Sequence, residues 1–489
     1  EGGSRAFMAA YNSWNGIPMS IHPCLEEITR KQWGNNGIIC TDGGALKLLI
    51  EAHKSFPSFA EGAAAVVKAT TGQFLDAYVP YVKEALEKGL LTEVDIDKAI
   101  RGNIFVALKL GLLDGDHSRN PYLSIGKNST ETPPFMTAEA RRLAREVTAK
   151  SVVLLKNKKL LPLDAGKLRK IAVIGPYSDK IVQDWYSGTP PYETTILSGI
   201  RNAVKEGTEI IHAEDNRMGQ AEKAAAAADV AIVCVGNHPY GTRADWKFSP
   251  VPSDGREAVD RKSLMLPDED LVKLVLKANP NTILVLVSSF PYTINWSQEH
   301  VPAIVHITHC SQEQGNGLAD VLFGKVNPAG RTVQTWVKDI TDLPDIMDYD
   351  IRNGRTYMYH QGPVLYPFGY GLSYSDFAYE KIESFKQDKK NIRVTVSVKN
   401  TSGRDGEEVV QLYTSYPDSK VERPSKQLRA FKRIPIKAGE TREVTLTVPK
   451  EELGYWNEEK QMFVVEPGTV KLLIGASSED IRLEGKIRL

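Results

Sequence analysis

The chain reads WGNNGIICTDG over residues 33–43, a short apolar run that stops at a threonine, an aspartate and a glycine. An earlier apolar run, Ala6–Tyr11, also ends in polar residues. Each pattern predicts a buried parallel strand that leads into a polar loop. We therefore expect Asp42 to lie at the carboxyl end of a strand, where the chain emerges from the core.

Sequence patterns change several times along the rest of the chain. Residues 116–137 mix Asp, Asn, Pro, Ser and Thr, which is typical of a linker. Apolar strands alternate with helices over 138–345 and predict a parallel sheet covered on both faces. Residues 346–375 are rich in Tyr, Gly and Pro and read as a connector, and 376–489 show the period of two that a small β-sandwich requires. With 1–115, this gives three predicted domains.

The parallel sheet predicted for residues 138–345 rests on five short apolar runs. These candidate strands are Val152–Leu155, Ile171–Ile174, Val230–Val235, Ile283–Val287 and Ala303–Ile307. Helical patterns such as Gly219–Ala228 and Glu269–Ala278 separate them. In the first region, Tyr78–Leu113 is predicted to be helical, with a helix-start pattern at Thr92.

Composition excludes several classes of protein. The 489 residues carry 61 basic and 61 acidic side chains, so charge gives no reason to expect nucleic acid or an anionic membrane as partner. No run approaches 18 apolar residues, and no membrane span is expected. The four cysteines form no C-x-x-C pair, which argues against a zinc ribbon or a thioredoxin-type site.

Two stretches, MAAYNSWNGIP at 8–18 and WGNNGIICTDG at 33–43, resemble glycoside hydrolase family 3. In that family a strand ending in Tyr-Asn precedes an N-G-x-P loop, and a later strand ends in Ser-Asp or Thr-Asp. The resemblance implies that Asp42 is the catalytic nucleophile and that Tyr11 stands beside it. The position of Asp42 agrees with this role. A retaining glycosidase needs an ionised carboxylate to attack the anomeric carbon, and barrel enzymes place such groups at the ends of strands.

A second stretch, SDGREAVDRKSLMLP at 253–267, resembles the family's E-G-x-D-R segment, with Ala258 in place of the glycine. The resemblance implies that Glu257 is the general acid/base. Retention of configuration requires the two carboxylates to lie roughly 5–5.5 Å apart, so folding must bring Asp42 and Glu257 together. Asp254 and Glu269 are rival carboxylates for the same role.

Aromatic residues supply further candidates for sugar binding. The segment DWYSGTPPY at 184–192 resembles family members that cleave xylosides, and aromatic faces bind the C–H surfaces of sugars. Trp185 and Tyr186 are therefore candidate substrate-binding residues, with buried packing as the equal alternative for each ring. Trp246 and His238, from the long loop before Glu257, are two more candidates. β-Glucosides and β-xylosides both remain open as substrates.

The resemblance extends along the whole chain, through YPFGYGLSY at 366–374 and GEEVVQLY at 406–413. It implies an α/β multidomain protein: the C-terminal part of a TIM-type (β/α)8 barrel, then an α/β/α sandwich, then a fibronectin-III-like β-sandwich. A barrel of this family has eight strand–helix units, and residues 1–115 supply only some of them. Because an open barrel exposes strand edges, we expect another chain or segment to complete it.

The expected function is a retaining exo-acting β-glycosidase that releases terminal glucose or xylose from β-linked oligosaccharides, without metal or organic cofactor. Family analogy indicates an extracellular or periplasmic location. One alternative is a non-catalytic carbohydrate-binding or assembly subunit with an incomplete barrel. A nucleotide-binding enzyme is a weaker alternative, because no G-x-G-x-x-G or P-loop follows the strand at Ile171–Ile174.

Overall fold

The computed structural model describes residues 2–127, 132–183, 186–238, 255 and 260–489. The chain divides into two compact units, Glu1–Glu131 and Thr132–Leu489. This division falls inside the stretch 116–137 that its composition marks as a linker.

The first unit combines short strands with helices. In chain order these are β1 (Ala6–Ala9), β2 (Ser13–Trp14), β3 (Ile17–Pro18), a π-type helix (Leu25–Gln32), β4 (Ile38–Thr41), α1 (Ala45–Glu51), α2 (Phe59–Lys68), α3 (Val79–Glu87) and α4 (Glu93–Lys109).

Strands β1 and β4 are parallel, with Ala6 opposite Ile38 and Ala9 opposite Thr41. Both predicted strands therefore exist, and their carboxyl ends meet at one edge. Helix α4 packs closely against the start of β4, because a Cβ atom added to Gly102 would lie 1.9 Å from the carbonyl oxygen of Gly37. This strand–helix packing is what a part of a β/α barrel requires.

The region predicted to be helical, Tyr78–Leu113, contains two helices, α3 and α4, and the second starts after Thr92 as predicted. Gly89, at φ +69°, follows the end of α3 in a left-handed conformation that glycine adopts without strain. Helix α4 then starts afresh at Thr92, whose hydroxyl accepts the Asp95 amide at 3.3 Å while the Asp95 carboxylate accepts the Thr92 amide at 2.9 Å. The helix-start pattern at Thr92 was the correct local signal.

The first part of the second unit alternates helices with strands. The elements are α5 (Ala138–Ser151), β5 (Val153–Asn157), β6 (Lys170–Ile174), α6 (Ile196–Ala203), β7 (Glu209–Ala213), α7 (Gln220–Ala226), β8 (Val230–Gly236), α8 (Glu269–Ala278), β9 (Thr282–Val287), α9 (Asn295–His300), β10 (Ala303–Ile307) and α10 (Gln314–Leu322).

These strands form one sheet in the order β5-β10-β9-β8-β6-β7. Neighbours from β10 to β7 are parallel, as predicted, whereas β5 runs antiparallel to β10. The expectation of a wholly parallel sheet is therefore wrong at that edge. Strand β7 was not predicted, because Glu209–Ala213 is an edge strand whose half-exposed residues break the continuous apolar run of a central strand.

Alternate residues of the central strands enter different cores. Val230, Ile232 and Cys234 of β8 belong to one apolar cluster, whereas Ala231 and Val233 belong to another. Since successive side chains of a strand point to opposite faces, both faces of the sheet are buried. This confirms the layered α/β/α arrangement expected from the apolar runs.

The chain then passes through β11 (Trp336–Val337), α11 (Thr356–Tyr359) and β12 (Val364–Tyr366) into the C-terminal strands. Those strands are β13 (Phe377–Gln387), β14 (Asn391–Asn400), β15 (Gly406–Ser415), β16 (Gln427–Ile436), β17 (Thr441–Pro449), β18 (Tyr455–Asn457), β19 (Met462–Val464), β20 (Thr469–Gly475) and β21 (Ile481–Arg488). Two sheets, β13-β14-β17 and β16-β15-β20-β21, enclose one apolar core, as the period of two predicted.

A buried ion pair joins the α/β region to this sandwich. Arg331 donates to the Glu408 carboxylate of β15 at 3.0 Å, and both side chains are at least nine-tenths buried. The Tyr379 hydroxyl donates to the other Glu408 oxygen at 2.9 Å. Burial raises the pKa of Glu408, while the Arg331 charge opposes that change.

Candidate active site

Asp42 is the first residue beyond β4, at the carboxyl end of the strand. Its side chain is half-buried. The Gly43 amide donates to Asp42 Oδ1 at 2.8 Å, and the Ala45 amide donates to the Asp42 carbonyl at 3.3 Å. The carboxylate is therefore oriented by the turn that follows it, with part of its surface open to solvent.

The strand that carries Asp42 is held on its second side by the segment 72–75. The Gln73 carbonyl accepts the Thr41 amide at 3.0 Å, and Cys40 and Gln73 form a parallel bridge. The Leu75 amide donates to Thr41 Oγ1 at 3.4 Å. Hydrogen bonds therefore fix the end of β4 on both sides.

A second carboxylate, Asp76, lies directly after this segment. Its Oδ1 accepts the Gly44 amide, and its Oδ2 accepts the Leu46 amide at 3.4 Å. Sequence reasoning did not identify Asp76. The available signal was an acidic residue placed just after the apolar pair Phe74 and Leu75, as Asp42 is placed after β4.

Tyr11 lies in the loop after β1, two residues beyond the end of the strand, with 39% of its surface exposed. Because Ala9 is opposite Thr41, the loops that contain Tyr11 and Asp42 start at the same edge of the sheet. The structure thus places the two predicted residues at one edge of this sheet, and their roles stay predictions.

His53 anchors the Tyr11 loop. Its Nε2 donates to the Tyr11 carbonyl at 2.9 Å, because a carbonyl can only accept, and its Nδ1 lies 3.3 Å from the Ser13 hydroxyl. The loop then reverses through Asn15 and Gly16, whose φ values of 50° and 82° are those of a tight two-residue hairpin turn. These contacts define the path of the Y-N-S-W-N-G segment.

The Cys40 thiol lies close to the nucleophile candidate without sharing its chemistry. Burial and the nearby Asp42 charge both raise the pKa of Cys40. A thiol in such surroundings stays protonated and unreactive at neutral pH. Of the ionisable groups at this strand end, the carboxylates are the ones suited to nucleophilic attack.

In the second unit, His238 lies just beyond β8 at the carboxyl edge of the sheet. Its Nε2 donates to the Gln183 carbonyl at 3.0 Å, which ties the end of β8 to Gln183. The Tyr186 ring is 79% exposed and is therefore not packed in the core. Trp185, Trp246, Asp254 and Glu257 lie outside the described residues.

Two described side chains that follow Glu257 in the sequence, Arg261 and Glu269, make defined contacts. Arg261 donates through both terminal nitrogens to the Pro291 carbonyl, at 3.1 Å each, and stacks on the Phe290 ring. These contacts hold the Arg261 side chain against the segment that contains Phe290 and Pro291. The rival carboxylate Glu269 instead accepts the amide and hydroxyl of Ser297, at 3.2 and 2.8 Å. Glu269 therefore has a structural role at the start of α9.

The described residues contain no group of three or more His, Cys, Asp and Glu side chains placed to hold a metal ion. None of their helices combines the length and the apolar character that a bilayer crossing requires.

Three family models match the chain. The glycosyl hydrolase family 3 N-terminal domain matches residues 1–102, the family 3 C-terminal domain matches 152–374, and the fibronectin type III-like domain matches 408–478. The order of the three agrees with the strand–helix unit, the α/β sheet and the β-sandwich described above.

Curated relatives match nearly the whole chain. A periplasmic β-glucosidase of Salmonella typhimurium is 30% identical over an alignment of 541 residues. The alignment covers 99% of this chain and 67% of the relative. A β-xylosidase of Formosa agariphila is 30% identical over 521 residues, which cover 98% of this chain and 68% of the relative. The chain therefore spans about two thirds of the length of these proteins.

Solved structures match as well. A β-glucosidase from Erythrobacter marinus has a TM-score of 0.85 at 27% identity and covers 100% of this chain and 68% of its own. A β-glucosidase from Listeria innocua, in complex with isofagomine, has a TM-score of 0.84 at 27% identity, with coverages of 99% and 68%. These matches confirm the resemblance drawn from MAAYNSWNGIP and WGNNGIICTDG and the fold class it implied.

Proposed function

Since the chain belongs to glycosyl hydrolase family 3, we propose that it carries the two catalytic carboxylates of a retaining exo-acting β-glycosidase, Asp42 and Glu257. The observation that supports this most directly is the position of Asp42. It is a half-buried carboxylate at the carboxyl end of a parallel strand, oriented by the Gly43 amide at 2.8 Å. A nucleophile of a barrel glycosidase needs this placement.

The proposed reaction has two displacements. In the first, Glu257 protonates the departing glycosidic oxygen while Asp42 attacks the anomeric carbon, which forms a covalent glycosyl-enzyme and breaks the bond to the leaving group. In the second, Glu257 takes a proton from water, the water oxygen attacks the anomeric carbon, and Asp42 leaves as a carboxylate. Because Oδ1 of Asp42 already accepts the Gly43 amide, we assign the attack to Oδ2.

The proposed substrate is a β-linked oligosaccharide or glycoside with terminal glucose or xylose. This follows the two relatives, of which one is named a β-glucosidase and the other a β-xylosidase. Tyr11, Trp185, Tyr186, Trp246 and His238 are the residues we propose to contact the sugar. The exposure of Tyr186, 79% of the residue's surface, supports this, because the residue lies outside the core.

We also propose that barrel strands outside these 489 residues complete the site. The described part of the first unit contains one two-stranded parallel sheet, β1 with β4, whereas a closed barrel needs eight strands. Met8 of β1 is 51% exposed, which leaves an apolar strand residue open to a further neighbour. One relative is named periplasmic, and we propose an exported location for this protein too.

Covalent trapping tests the function. The probes are 2-deoxy-2-fluoro glucosides and xylosides with a good leaving group, followed by peptide mass spectrometry. The fluorine slows breakdown of the intermediate, so the labelled peptide identifies the nucleophile. We expect the label on Asp42, in a preparation that includes any co-purifying chain or the longer polypeptide, and the faster sugar defines the specificity.

Two other outcomes would contradict parts of the proposal. Sugar binding without a covalent adduct, in a preparation with a closed barrel, would favour the non-catalytic binding subunit. Full turnover by residues 1–489 alone would overturn the proposal that further strands are needed.

A further inference from the structure

Helix α1 begins three residues after Asp42 without a capping side chain of its own. Its N-cap residue is Gly44, at φ +79°, which has no side chain to accept the amides of the first turn. The first N–H groups of a helix have no partner within the helix and need acceptors from elsewhere. The turn between Asp42 and α1 therefore depends on a group from another part of the chain.

Asp76 supplies both acceptors, one with each oxygen. Oδ1 accepts the Gly44 amide and Oδ2 accepts the Leu46 amide at 3.4 Å, although Asp76 is 32 residues away from Gly44 in sequence. An ionised carboxylate offers two acceptor oxygens, which an amide side chain of the same shape does not. The two bonds thus match the chemistry of a carboxylate and not that of an amide.

The segment that presents Asp76 is itself rigid. Phe74 and Tyr78, on either side of Asp76, stack with ring centroids 4.0 Å apart, and Tyr78 is buried. The same segment bonds to Thr41 through the Leu75 amide at 3.4 Å. It therefore contacts the chain on both sides of Asp42, at the strand end before it and in the turn after it.

We propose that Asp76 is a positioning residue for the nucleophile: it holds the turn 42–44 so that the Asp42 carboxylate points at the anomeric carbon. This rests on the proposed role of Asp42. A reacting atom displaced by about 1 Å costs roughly 10²-fold in rate, so the cap affects catalysis without touching the substrate.

The test compares Asp76→Ala, Asp76→Asn and the control Asp97→Asn, since Asp97 is an exposed carboxylate on α4 of the same unit. Two quantities are measured on the preparation used for trapping: the rate constant for labelling by the 2-fluoro glycoside, and the inhibition constant for its initial binding. Hydrogen exchange of a peptide spanning 43–49, followed by mass spectrometry, reports the cap directly. Circular dichroism confirms folding.

We expect Asp76→Ala to slow labelling by about 10- to 100-fold, with initial binding changed less than about threefold. Asp76→Asn should fall between wild type and Asp76→Ala, because it keeps one acceptor oxygen. Exchange at 43–49 should rise in the same order, and Asp97→Asn should match wild type in all three measurements. A purely structural role would lower the folded fraction and would leave the labelling rate of folded molecules unchanged.

The possible failures are distinguishable. If wild type is labelled on Asp42 and Asp76→Ala is labelled at the same rate, the positioning role is overturned while the nucleophile assignment stands. If wild type is not labelled, the proposed function fails. Unchanged exchange over 43–49 in Asp76→Ala overturns the cap itself, with or without labelling.

Discussion

Asp42 combines partial burial with one backbone hydrogen bond, from the Gly43 amide. That combination suits a nucleophile, since a carboxylate enclosed by donors would be a weak attacking group. At the scale of single residues, the proposed chemistry depends on two carboxylates, Asp42, which lies at the end of a strand, and Glu257, which lies outside the described residues.

Replacing Asp42 by asparagine should abolish turnover while the fold persists. The amide keeps the shape and the bond to Gly43 but cannot attack the anomeric carbon, so we expect kcat/KM on a nitrophenyl β-glycoside to fall by about 10⁴-fold. Asp97→Asn serves as the matched control, and circular dichroism checks the structure. A variant that keeps a tenth of wild-type activity would show that another group is the nucleophile.

Replacing Glu257 by alanine should affect substrates according to their leaving groups. A poor leaving group needs protonation, so we expect a loss of about 10²- to 10⁴-fold for an alkyl or oligosaccharide glycoside and a smaller loss in the first step for a dinitrophenyl glycoside. Added azide should restore turnover and yield a β-glycosyl azide. Equal losses on both substrates, with no azide product, would contradict the assignment.

Glu269→Gln provides the comparison for Glu257, because its carboxylate is occupied by Ser297. We expect this variant to lose stability and to keep the wild-type dependence on the leaving group. If Glu269→Gln, and not Glu257→Ala, changed the dependence on the leaving group, Glu269 would be the acid/base.

At the scale of elements, strand β10 carries a buried histidine. His306 Nε2 lies 3.0 Å from the Ser288 carbonyl and meets the Trp336 ring edge-on. Burial lowers the pKa of His306 from 6.5 to about 4, with the nearby His309 acting in the same direction. The folded protein therefore keeps this imidazole neutral where the unfolded chain protonates it.

The consequence is a loss of stability in acid. Between pH 6.5 and 4 the unfolded state binds a proton that the folded state does not, so the free energy of unfolding falls as the pH drops through this window, by up to about 3 kcal/mol. We expect His306→Gln, which keeps a donor for Ser288, to lose less stability between pH 7 and 4.5. Urea unfolding at several pH values measures the difference.

The control for this pH dependence is His300→Gln, since His300 is an exposed histidine on α9. Its unfolding free energy should follow the wild-type curve. Parallel curves for wild type and His306→Gln would show that His306 does not contribute to acid sensitivity.

At the scale of the whole molecule, the second unit depends on the Arg331–Glu408 pair between its α/β region and its sandwich. Removing one partner of a buried pair leaves an uncompensated charge, so we expect Arg331→Met or Glu408→Leu to cost about 3–5 kcal/mol. The double replacement should cost less than the sum of the two, because no lone charge remains. Denaturant unfolding of wild type, the two single variants and the double variant measures these free energies. If the losses of the two single variants add up to the loss of the double variant, direct coupling between Arg331 and Glu408 is contradicted.

The fold was predictable where the pattern is local. A strand buried on both faces must be apolar throughout, and a strand at a sandwich surface must alternate, so β8, β9 and the sandwich class of 376–489 were predictable from spacing alone. The errors arose where neighbours set the outcome. The antiparallel direction of β5 arises from its pairing with β10, a strand far later in the chain, and β7 is too exposed to resemble a central strand.

The sequence by itself determined that Asp42 follows a buried strand and that a turn of glycines comes after it, because apolar runs and glycine positions act within a few residues. Only the tertiary structure decided which groups surround that carboxylate. Asp76 reaches the Gly44 amide, next to Asp42, across 32 residues of sequence. In the second unit, Glu269 likewise binds Ser297 across 28 residues. Such bonds leave no trace in spacing, since their partners meet only when strands and loops from distant parts of the chain come together in the folded core.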